Sequence, residues 1–473
     1  MEYTQNNVVN VVNRKFHFIA LLLTLSGGLL LFNVASAATP HDLPLVQKGN
    51  LEYLGAFRLP RGGNGTSDGF SFGGGALAFD STNNSLFVST RESWVGQISI
   101  PTPVRSSNIE TLPFATIIQS IHDPLEGGLS VLPESGIRGL LVLNGKLFGT
   151  ASIYYDANQT ARVSHFSRST DLSSKNATPL KALWQAEKSG YVGGWLAAIP
   201  SEWQTLLGGS VVSGNCCVPI VSRTSVGPSA FSWDPSDFSK SAIPATPLLY
   251  YTGEHPTLGP WDGSNKTYGG TTVIGGMVIP TDSRSLLYFG LNGTGPFCYG
   301  TGGASGGECT DPITSDKGQH AYPYNYQVWA YDLNDLVAVK NGTKNPWDVT
   351  PYATWTLSLP NSFVSLNGIG GVAYDEKNQT IYLSQMKADV DGYSSRSLIH
   401  AYKVNILREN LSYNKVNEIK PINRGEDPAT TTASSTDPHL DYRDASRGWL
   451  WTYGGPIGYG RYLLRTLLSY LKP

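Results

Sequence analysis

A β-hairpin pattern that recurs along the chain is the feature that most constrains the fold. Residues 75–80 read GALAFD and residues 370–375 read GGVAYD, and each run leads through an Asn-containing turn into a second apolar run. A third copy begins at residue 275, and a fourth crosses the turn at Asn144 and Gly145. An Asn-Gly pair between apolar runs is a strong hairpin signal. We therefore expect a series of related antiparallel hairpins.

Further apolar segments extend each hairpin to a four-stranded unit. Third strands are predicted at residues 97–100, 163–166, 230–233, 328–331 and 400–403. Fourth strands are predicted at residues 182–184, 248–251 and 352–357. A weaker fifth hairpin begins at residue 193, and residues 202–207 after it fit either a strand or a helical turn. The pattern predicts repeated four-stranded antiparallel meanders.

The last unit lacks a fourth strand after Val404, whereas residues 53–59 offer a spare strand near the other end of the chain. Gly and Ala recur at the start of each hairpin, where innermost strands crowd together in radially repeated folds. In these respects residues 50–405 resemble the β-propeller class, a resemblance that specifies architecture and no functional family. We expect an all-β, five-bladed propeller, with six or seven blades as alternatives, closed by the N-terminal strand and followed by a short C-terminal extension.

The two ends of the chain predict three segments. Arg14 and Lys15 precede an apolar run over residues 16–32 and a small-residue stretch ending at Ala37, which is typical of a cleaved signal peptide, although an uncleaved anchor is the alternative. We expect residues 1–37 to be the signal peptide, 38–405 the propeller, and 406–473 a polar linker with a short helical tail. The expected location is secreted, periplasmic or cell-surface, with no membrane span after cleavage.

Net charge and cysteine spacing bear on three kinds of partner: nucleic acid, metal ions and a second cysteine in a disulfide. A net charge of -2 leaves no electrostatic footprint for nucleic acid. Cys216, Cys217, Cys298 and Cys309 allow three disulfide pairings in an exported protein, and they lack the paired spacing of a zinc site. No metal or cofactor is predicted, although residues 389–392, which read DVDG, hint at a calcium loop.

In a meander, the loops that follow the second strand and those that follow the fourth emerge at the same end, and here they are the longest loops. Function in propellers is carried by such loops. Carboxylates at this end suit glycoside hydrolysis, and His, Tyr and Arg suit a polysaccharide lyase. The predicted catalytic candidates are Glu92, Asp123, Glu254, His255 and His320. The predicted substrate-binding candidates are His122, Arg223, Trp261 and Tyr322.

Each candidate has a structural alternative, because loop acids commonly cap turns and a lone histidine is commonly a hydrogen-bonded structural residue. The chain is therefore expected to act on or bind extracellular glycan, as a glycoside hydrolase or polysaccharide lyase. The alternative is a non-catalytic module that binds carbohydrate or protein, or a structural envelope component.

Overall fold

The structure is a computed structural model, and it describes residues 39–62, 68–91, 93–184, 192–217, 225–252, 255, 257–258, 267–304, 306–360 and 368–406. The predicted signal peptide and nearly all of the predicted C-terminal segment lie outside these residues. Within them, no helix has both the length and the apolar character needed to cross a membrane.

Strands dominate the described residues, and the all-β prediction is confirmed. The first twelve are β1 (Leu51–Arg58), β2 (Leu77–Asp80), β3 (Ser85–Ser89), β4 (Val95–Ser99), β5 (Ile117–His122), β6 (Ser135–Leu143), β7 (Lys146–Ile153), β8 (His165–Ser169), β9 (Ala182–Trp184), β10 (Trp195–Ala198), β11 (Val211–Gly214) and β12 (Ala230–Trp233). The others are β13 (Ala242–Pro244), β14 (Thr246–Leu249), β15 (Val273–Val278), β16 (Ser285–Gly293), β17 (Cys298–Gly303), β18 (Cys309–Thr310), β19 (Lys317–His320), β20 (Tyr324–Asp332), β21 (Ala353–Thr356), β22 (Ile369–Asp375), β23 (Thr380–Asp391) and β24 (Ser394–Val404). The α-helices in this part of the chain are α1 (Ser201–Leu207) and α2 (Leu333–Lys340).

Five of the sheets are antiparallel meanders that follow the predicted repeat. The first sheet is β2-β3-β4-β5, the second β6-β7-β8, the third β10-β11-β12-β14, and the fourth β15-β16-β20-β21. The fifth sheet has the order β22-β23-β24-β1, so the N-terminal strand supplies its outermost member. The register of that pairing places Ala56 opposite His400. Two smaller sheets, β9-β13 and β18-β17-β19, lie outside these meanders.

The repeated hairpins share one turn chemistry. Asp80 accepts hydrogen bonds from the backbone N–H of Thr82 and the side-chain amide of Asn83. In the fifth sheet, Asp375 accepts the corresponding pair of hydrogen bonds from Asn378. Short polar side chains that bind their own turn in this way stabilise the reversal of the chain. This local interaction explains why the same residue pattern forms the same hairpin twice.

The first strands of the five meanders lie side by side. In sequence order, β2, β6, β10, β15 and β22 each contact the next, and β22 also contacts β2. Equivalent positions meet, because a Cβ on Gly371 would collide with the backbone of Ala76 and Leu77. The strands therefore run in the same direction, and their N-terminal ends lie at one end of the protein. A glycine is required at such a position because two backbones approach too closely for a side chain.

Apolar clusters fill the space between neighbouring sheets. One cluster joins Phe87 of the first sheet with Phe166 of the second, and another joins Phe148 of the second with Phe231 of the third. A larger cluster brings Trp203 of α1 against the fourth sheet, and others join the fourth sheet to the fifth and the fifth to the first. Burial of these faces is the main stabilising term of a sheet protein.

One sequence prediction needed correction. Residues 182–184 form a strand, but β9 pairs in parallel with β13. Among the described residues, only Lys181, just before β9, bridges to His165 of β8, so the second sheet has three strands. Leu183 is buried there in one apolar cluster with Ile243 and with Phe148 of the second sheet. Of the two alternatives for residues 202–207 in the fifth hairpin, the structure shows the helical one, α1. The second strand of this hairpin is β11, which the sequence patterns missed.

The glycine-rich run from 300 to 307 has a composition typical of loops, but its first four residues belong to β17. Residues 300 and 301 pair with residues 318 and 317 in the β17-β19 ladder. Pairing with β19 and the disulfide between Cys298 and Cys309 both restrain the backbone of this glycine-rich strand. The helix α2 was also not predicted.

Candidate functional site

The loops that join the second strand to the third strand of each meander lie at the end where the first strands begin. We call them the 2–3 loops. Antiparallel pairing brings the end of each second strand back to the start of its first strand, as where Ser89 donates its N–H to Ala76. In the first, second, fourth and fifth sheets the described parts of these loops are residues 90–91 and 93–94, 154–164, 294–304 with 306–323, and 392–393.

Exposed aromatic side chains concentrate in the 2–3 loops. Among the described residues they are Trp94, Tyr154, Tyr155, Tyr299, Tyr322 and Tyr393. The exposed aromatic side chain elsewhere in this part of the chain is Phe114, which lies under the guanidinium of Arg58. Isolated exposed apolar residues are normal, but an accumulation at one end of a protein marks an interaction surface.

The structure buries His320, a predicted catalytic residue. Its Nδ1 lies 2.8 Å from Asp311 Oδ2, and its Nε2 lies 3.1 Å from the carbonyl oxygen of Gly300. Tyr324 donates its hydroxyl to the same Asp311 oxygen at 2.6 Å. Because both ring nitrogens of His320 are occupied by protein oxygens, this placement favours a structural role in the β17-β19 sheet.

Asp123 and His122 lie at the end of β5 and serve local turns. Asp123 accepts hydrogen bonds from the N–H groups of Leu125 and Gly127, as a turn-capping carboxylate does. The Nδ1 atom of His122 lies 2.8 Å from the carbonyl oxygen of Ser120. Both side chains are partly exposed, so they remain accessible. The carboxylates of Asp123, Glu126 and Asp171 all lie near enough to Arg168 to influence its charge.

His255 and Tyr322 lie on different loops. The ring of His255 stacks on Trp347 with centroids 4.4 Å apart, and its Nδ1 lies 2.8 Å from the hydroxyl of Thr252. Tyr322 is exposed, precedes a cis proline and packs edge-on against Tyr324. No described contact joins these two residues to each other or to Asp123.

Four predicted site residues, Glu92, Arg223, Glu254 and Trp261, lie outside the described residues. Within the described ranges, no three His, Cys, Asp or Glu side chains are grouped so that they could hold a metal ion. In residues 389–392, whose sequence hints at a calcium loop, Asp389 is hydrogen-bonded by Arg58, and Asp391 lies 3.5 Å from Arg61. The two carboxylates therefore face separate arginines.

The cysteines form two disulfides. Cys216 bonds to its neighbour Cys217, and Cys298 bonds to Cys309. Of the three pairings that the sequence leaves open, this one keeps both bonds local. Cys298 to Cys309 holds β17 beside β18, and the vicinal pair lies against the hydroxyl of Tyr268.

Sequence reasoning missed one residue at this end of the protein, Arg138. It lies in β6 where the register with β7 shifts between Ile137 and Gly139, and its Nη2 atom is buried without a hydrogen-bond partner among the described residues. The sequence shows only an arginine within an apolar run. Whether its guanidinium has a hydrogen-bond acceptor depends on how the strands pack.

Comparisons with known proteins do not assign the chain to a family. No protein-family model matches the chain, and no curated protein matches it. Among solved structures, it is similar to hydrazine synthase of Kuenenia stuttgartiensis, with 9% identity over 66% of this chain and 61% of that chain and a TM-score of 0.28. The chain therefore spans less than two thirds of that structure.

Two further solved structures are similar to the chain over most of their own length. A GH43 endo-arabinanase from Bacillus licheniformis has 11% identity, covers 71% of this chain and 94% of its own, and has a TM-score of 0.35. A putative oxidoreductase (glucose dehydrogenase) from Thermus thermophilus has 10% identity, covers 74% and 99%, and has a TM-score of 0.33. At these identities and TM-scores, none of the similarities assigns an activity to this chain.

Proposed function

We propose that the chain is an exported five-bladed propeller that binds extracellular glycan through its 2–3 loops. The observation that carries the proposal is the accumulation of exposed aromatic side chains in those loops. Flat aromatic faces are the common platform for sugar rings, since they bury the apolar C–H face of the ring. Binding is favoured over catalysis because the described candidate acids and bases are engaged in local hydrogen bonds and are not brought together.

The five-bladed arrangement is supported by the contacts between sheets. Each meander would be one blade, and the N-terminal strand β1 would close the ring by completing the fifth sheet. Export is supported by the predicted signal peptide and by two disulfides, which persist in oxidising compartments. The expected location is the cell surface, the periplasm or the medium.

Ring closure can be tested by removing β1. A chain that begins at residue 59 should lose cooperative unfolding, because the edge of β24 and the apolar face shared with Phe57 become exposed. A truncated chain that keeps the wild-type melting transition would contradict closure by this strand.

Glycan binding can be tested on an array of plant, algal and bacterial polysaccharides, followed by calorimetry with the best ligand. Trp94→Ala and Tyr155→Ala should each weaken binding about tenfold, the loss expected from about 1.4 kcal/mol of aromatic contact. Phe114→Ala is the matched control, since it removes an exposed aromatic ring outside the 2–3 loops. Binding that Phe114→Ala weakens as much as Trp94→Ala does would count against this surface.

The same preparations separate binding from cleavage. If a bound polysaccharide is shortened, and Glu92→Gln or Glu254→Gln abolishes the shortening without abolishing binding, the protein is an enzyme that acts on the glycan it binds. If no glycan binds, the proposal fails.

A further inference from the structure

Among the described residues, no carboxylate pairs with the guanidinium of Arg138. The residue as a whole is half-buried, but its Nη2 atom is buried and has no hydrogen-bond partner in the described part of the chain. A buried donor without an acceptor costs about 1–3 kcal/mol, and more when the group is charged. A buried polar group without a partner in a native protein calls for an explanation, such as a bound water, ion or ligand. Arg284 and Arg396 also carry such atoms, but a carboxylate lies within 4 Å of each of them.

Burial is the dominant influence on this guanidinium. It lowers the pKa of Arg138 to about 10, and the one opposing influence is the nearby phenol of Tyr154. At neutral pH the side chain is therefore still positively charged. The buried arginine Arg58 differs from Arg138, because two carboxylates bind it.

Two 2–3 loops that carry exposed aromatic side chains approach β6, the strand of Arg138, from two sides. Tyr154 and Tyr155 follow β7, the strand that pairs with β6, and they are 39% and 52% exposed. On the other side, the backbone N–H of Ile137 donates to the hydroxyl of Ser93 at 3.3 Å. This bond places the first 2–3 loop, with the exposed Trp94, next to Arg138.

Two more cations lie at the same end of the protein. Arg91 belongs to the first 2–3 loop, and Lys387 lies in β23 of the fifth sheet. Burial lowers the pKa of Lys387, and the positive charge of Arg91 lowers it further, so the two cations are close enough to repel. The carboxylate seen beside Arg91 is Asp68, at 3.9 Å between exposed side chains. Arg91 and Lys387 therefore add positive charge at the end of the protein where Arg138 lies.

We propose that Arg138 binds the carboxylate or sulfate group of an acidic polysaccharide whose sugar rings lie on Tyr154 and Trp94. This inference rests on the proposed function and names its substrate class. A guanidinium pairs with planar or tetrahedral oxyanions through parallel N–H donors, which also gives the missing acceptors to a group that the fold leaves unsatisfied. Aromatic rings beside an arginine supply the apolar contact to the rest of the sugar.

The experiment compares three polymers on the mature chain: polygalacturonate for the carboxylate, dextran sulfate for the sulfate, and dextran as the neutral polymer. Wild-type protein is compared with Arg138→Met, Arg138→Lys and Arg105→Met. Arg105 is the control, since it is exposed and pairs with Glu52 away from the 2–3 loops, so its loss removes the same charge. Affinity is measured by calorimetry, and melting temperature reports folding.

The expected result is that one acidic polymer binds at least tenfold more tightly than dextran, and that Arg138→Met lowers this affinity by about tenfold to a hundredfold, the range for a lost charge-assisted hydrogen bond. Arg138→Lys should be intermediate, and Arg105→Met should bind as wild type. The melting temperature of Arg138→Met should be equal or higher, because an unpaired buried charge is removed. Which of the two acidic polymers binds identifies the group.

Three outcomes would overturn the inference. Equal binding of dextran and both acidic polymers would show that the surface binds neutral sugar, and the proposed function would survive. Acidic binding that Arg138→Met leaves unchanged, or that Arg105→Met reduces equally, would show general electrostatic attraction. Failure of every polymer, together with an array that finds no glycan, would remove the proposed function as well.

Discussion

Arg58 in β1 and Asp389 in β23 form a buried, two-pronged ion pair across strand β24. The Nε atom of Arg58 lies 2.9 Å from Asp389 Oδ2, and Nη2 lies 2.8 Å from Oδ1. Both side chains are 1% exposed. The hydrogen bonds to Asp389 raise the pKa of Arg58 above its ordinary value. This pair ties the N-terminal strand to the fifth sheet beyond the backbone ladder.

Removing Asp389 should therefore be costly. Asp389→Ala leaves the Arg58 charge buried with only the exposed carboxylate of Glu110 beside it, and the expected loss in the free energy of unfolding is about 3–5 kcal/mol. Glu110→Ala is the matched control, because this partner is 68% exposed and should cost less than about 1 kcal/mol. Urea unfolding measures the free energy of unfolding of both variants. Equal losses would show that the buried Arg58–Asp389 pair stabilises the protein no more than the exposed pair with Glu110.

The free energy of unfolding should fall in mild acid because of two buried histidines. Burial lowers the pKa of His165 and of His400 to about 3. In the unfolded chain each titrates near its ordinary value of about 6.5, so as the pH falls the unfolded chain takes up the proton first. Their stability contribution is complete above about pH 6.5 and is lost below it at about 1.4 kcal/mol per pH unit for each histidine.

The measurement is urea unfolding at about pH 7 and about pH 5 for the wild type and for His165→Gln and His400→Gln. Each variant should show a smaller decrease between the two pH values than the wild type, whatever its stability at pH 7. A pH dependence that neither variant reduces would show that these histidines are not the source.

Close packing between the first strands predicts a large effect from one methyl group. A Cβ on Gly139 would press against the carbonyl oxygen of Gly194 in the next sheet, so Gly139→Ala should destabilise the protein by about 1–3 kcal/mol. Gly318→Ala in β19 is the control, because a Cβ there meets nothing within 4 Å. Thermal unfolding of the two variants compares them, and two unchanged melting temperatures would contradict this account of the sheet contacts.

The disulfide between Cys298 and Cys309 should order the β18-β17-β19 sheet locally. Its two cysteines are 11 residues apart, and closing such a loop restricts the unfolded segment by about 3 kcal/mol in the chain-entropy account. Replacing both cysteines with serine should speed amide hydrogen exchange in β17 and β19 while leaving β15 and β16 protected. A uniform loss of protection across all strands would show that the disulfide stabilises the whole protein and not only this sheet.

His320 should behave as part of that sheet. Since its ring binds Asp311 and the carbonyl oxygens of the loop, His320→Ala should lower the melting temperature and loosen β17 and β19. Tyr322→Ala, two residues away on an exposed side chain, should leave the melting temperature unchanged. If His320→Ala melts as the wild type does and abolishes activity on a glycan, a catalytic role would replace the structural one.

Much of the fold was readable from the sequence because its hairpins depend on local chemistry. The Asp and Asn residues of the turns near Asp80 and Asp375 bind their own backbone, and the alternation of apolar residues sets which face is buried. The pairing of the N-terminal strand with the last meander was also predictable, since an unpaired strand at each end of a repeat needs a partner.

The site was less readable, since charge pairing and burial are tertiary properties. Nothing in the sequence distinguishes Arg58, which finds two carboxylates, from Arg138, whose Nη2 atom finds none among the described residues. Likewise, His320 was a candidate base because of its residue type, whereas its contact with Asp311 is visible only in the folded structure. Chain segments far apart in sequence decide these contacts, as when residues 182–184 of β9 pair with residues 242–244 of β13.

The sequence by itself thus determined an all-β chain of repeated antiparallel meanders, because turn chemistry and apolar alternation act over a few residues. The tertiary structure decided which ionisable groups are satisfied, which are buried, and which aromatic rings remain exposed at one end. Those outcomes depend on burial and on partner residues from other sheets, and neither can be predicted from a local sequence pattern.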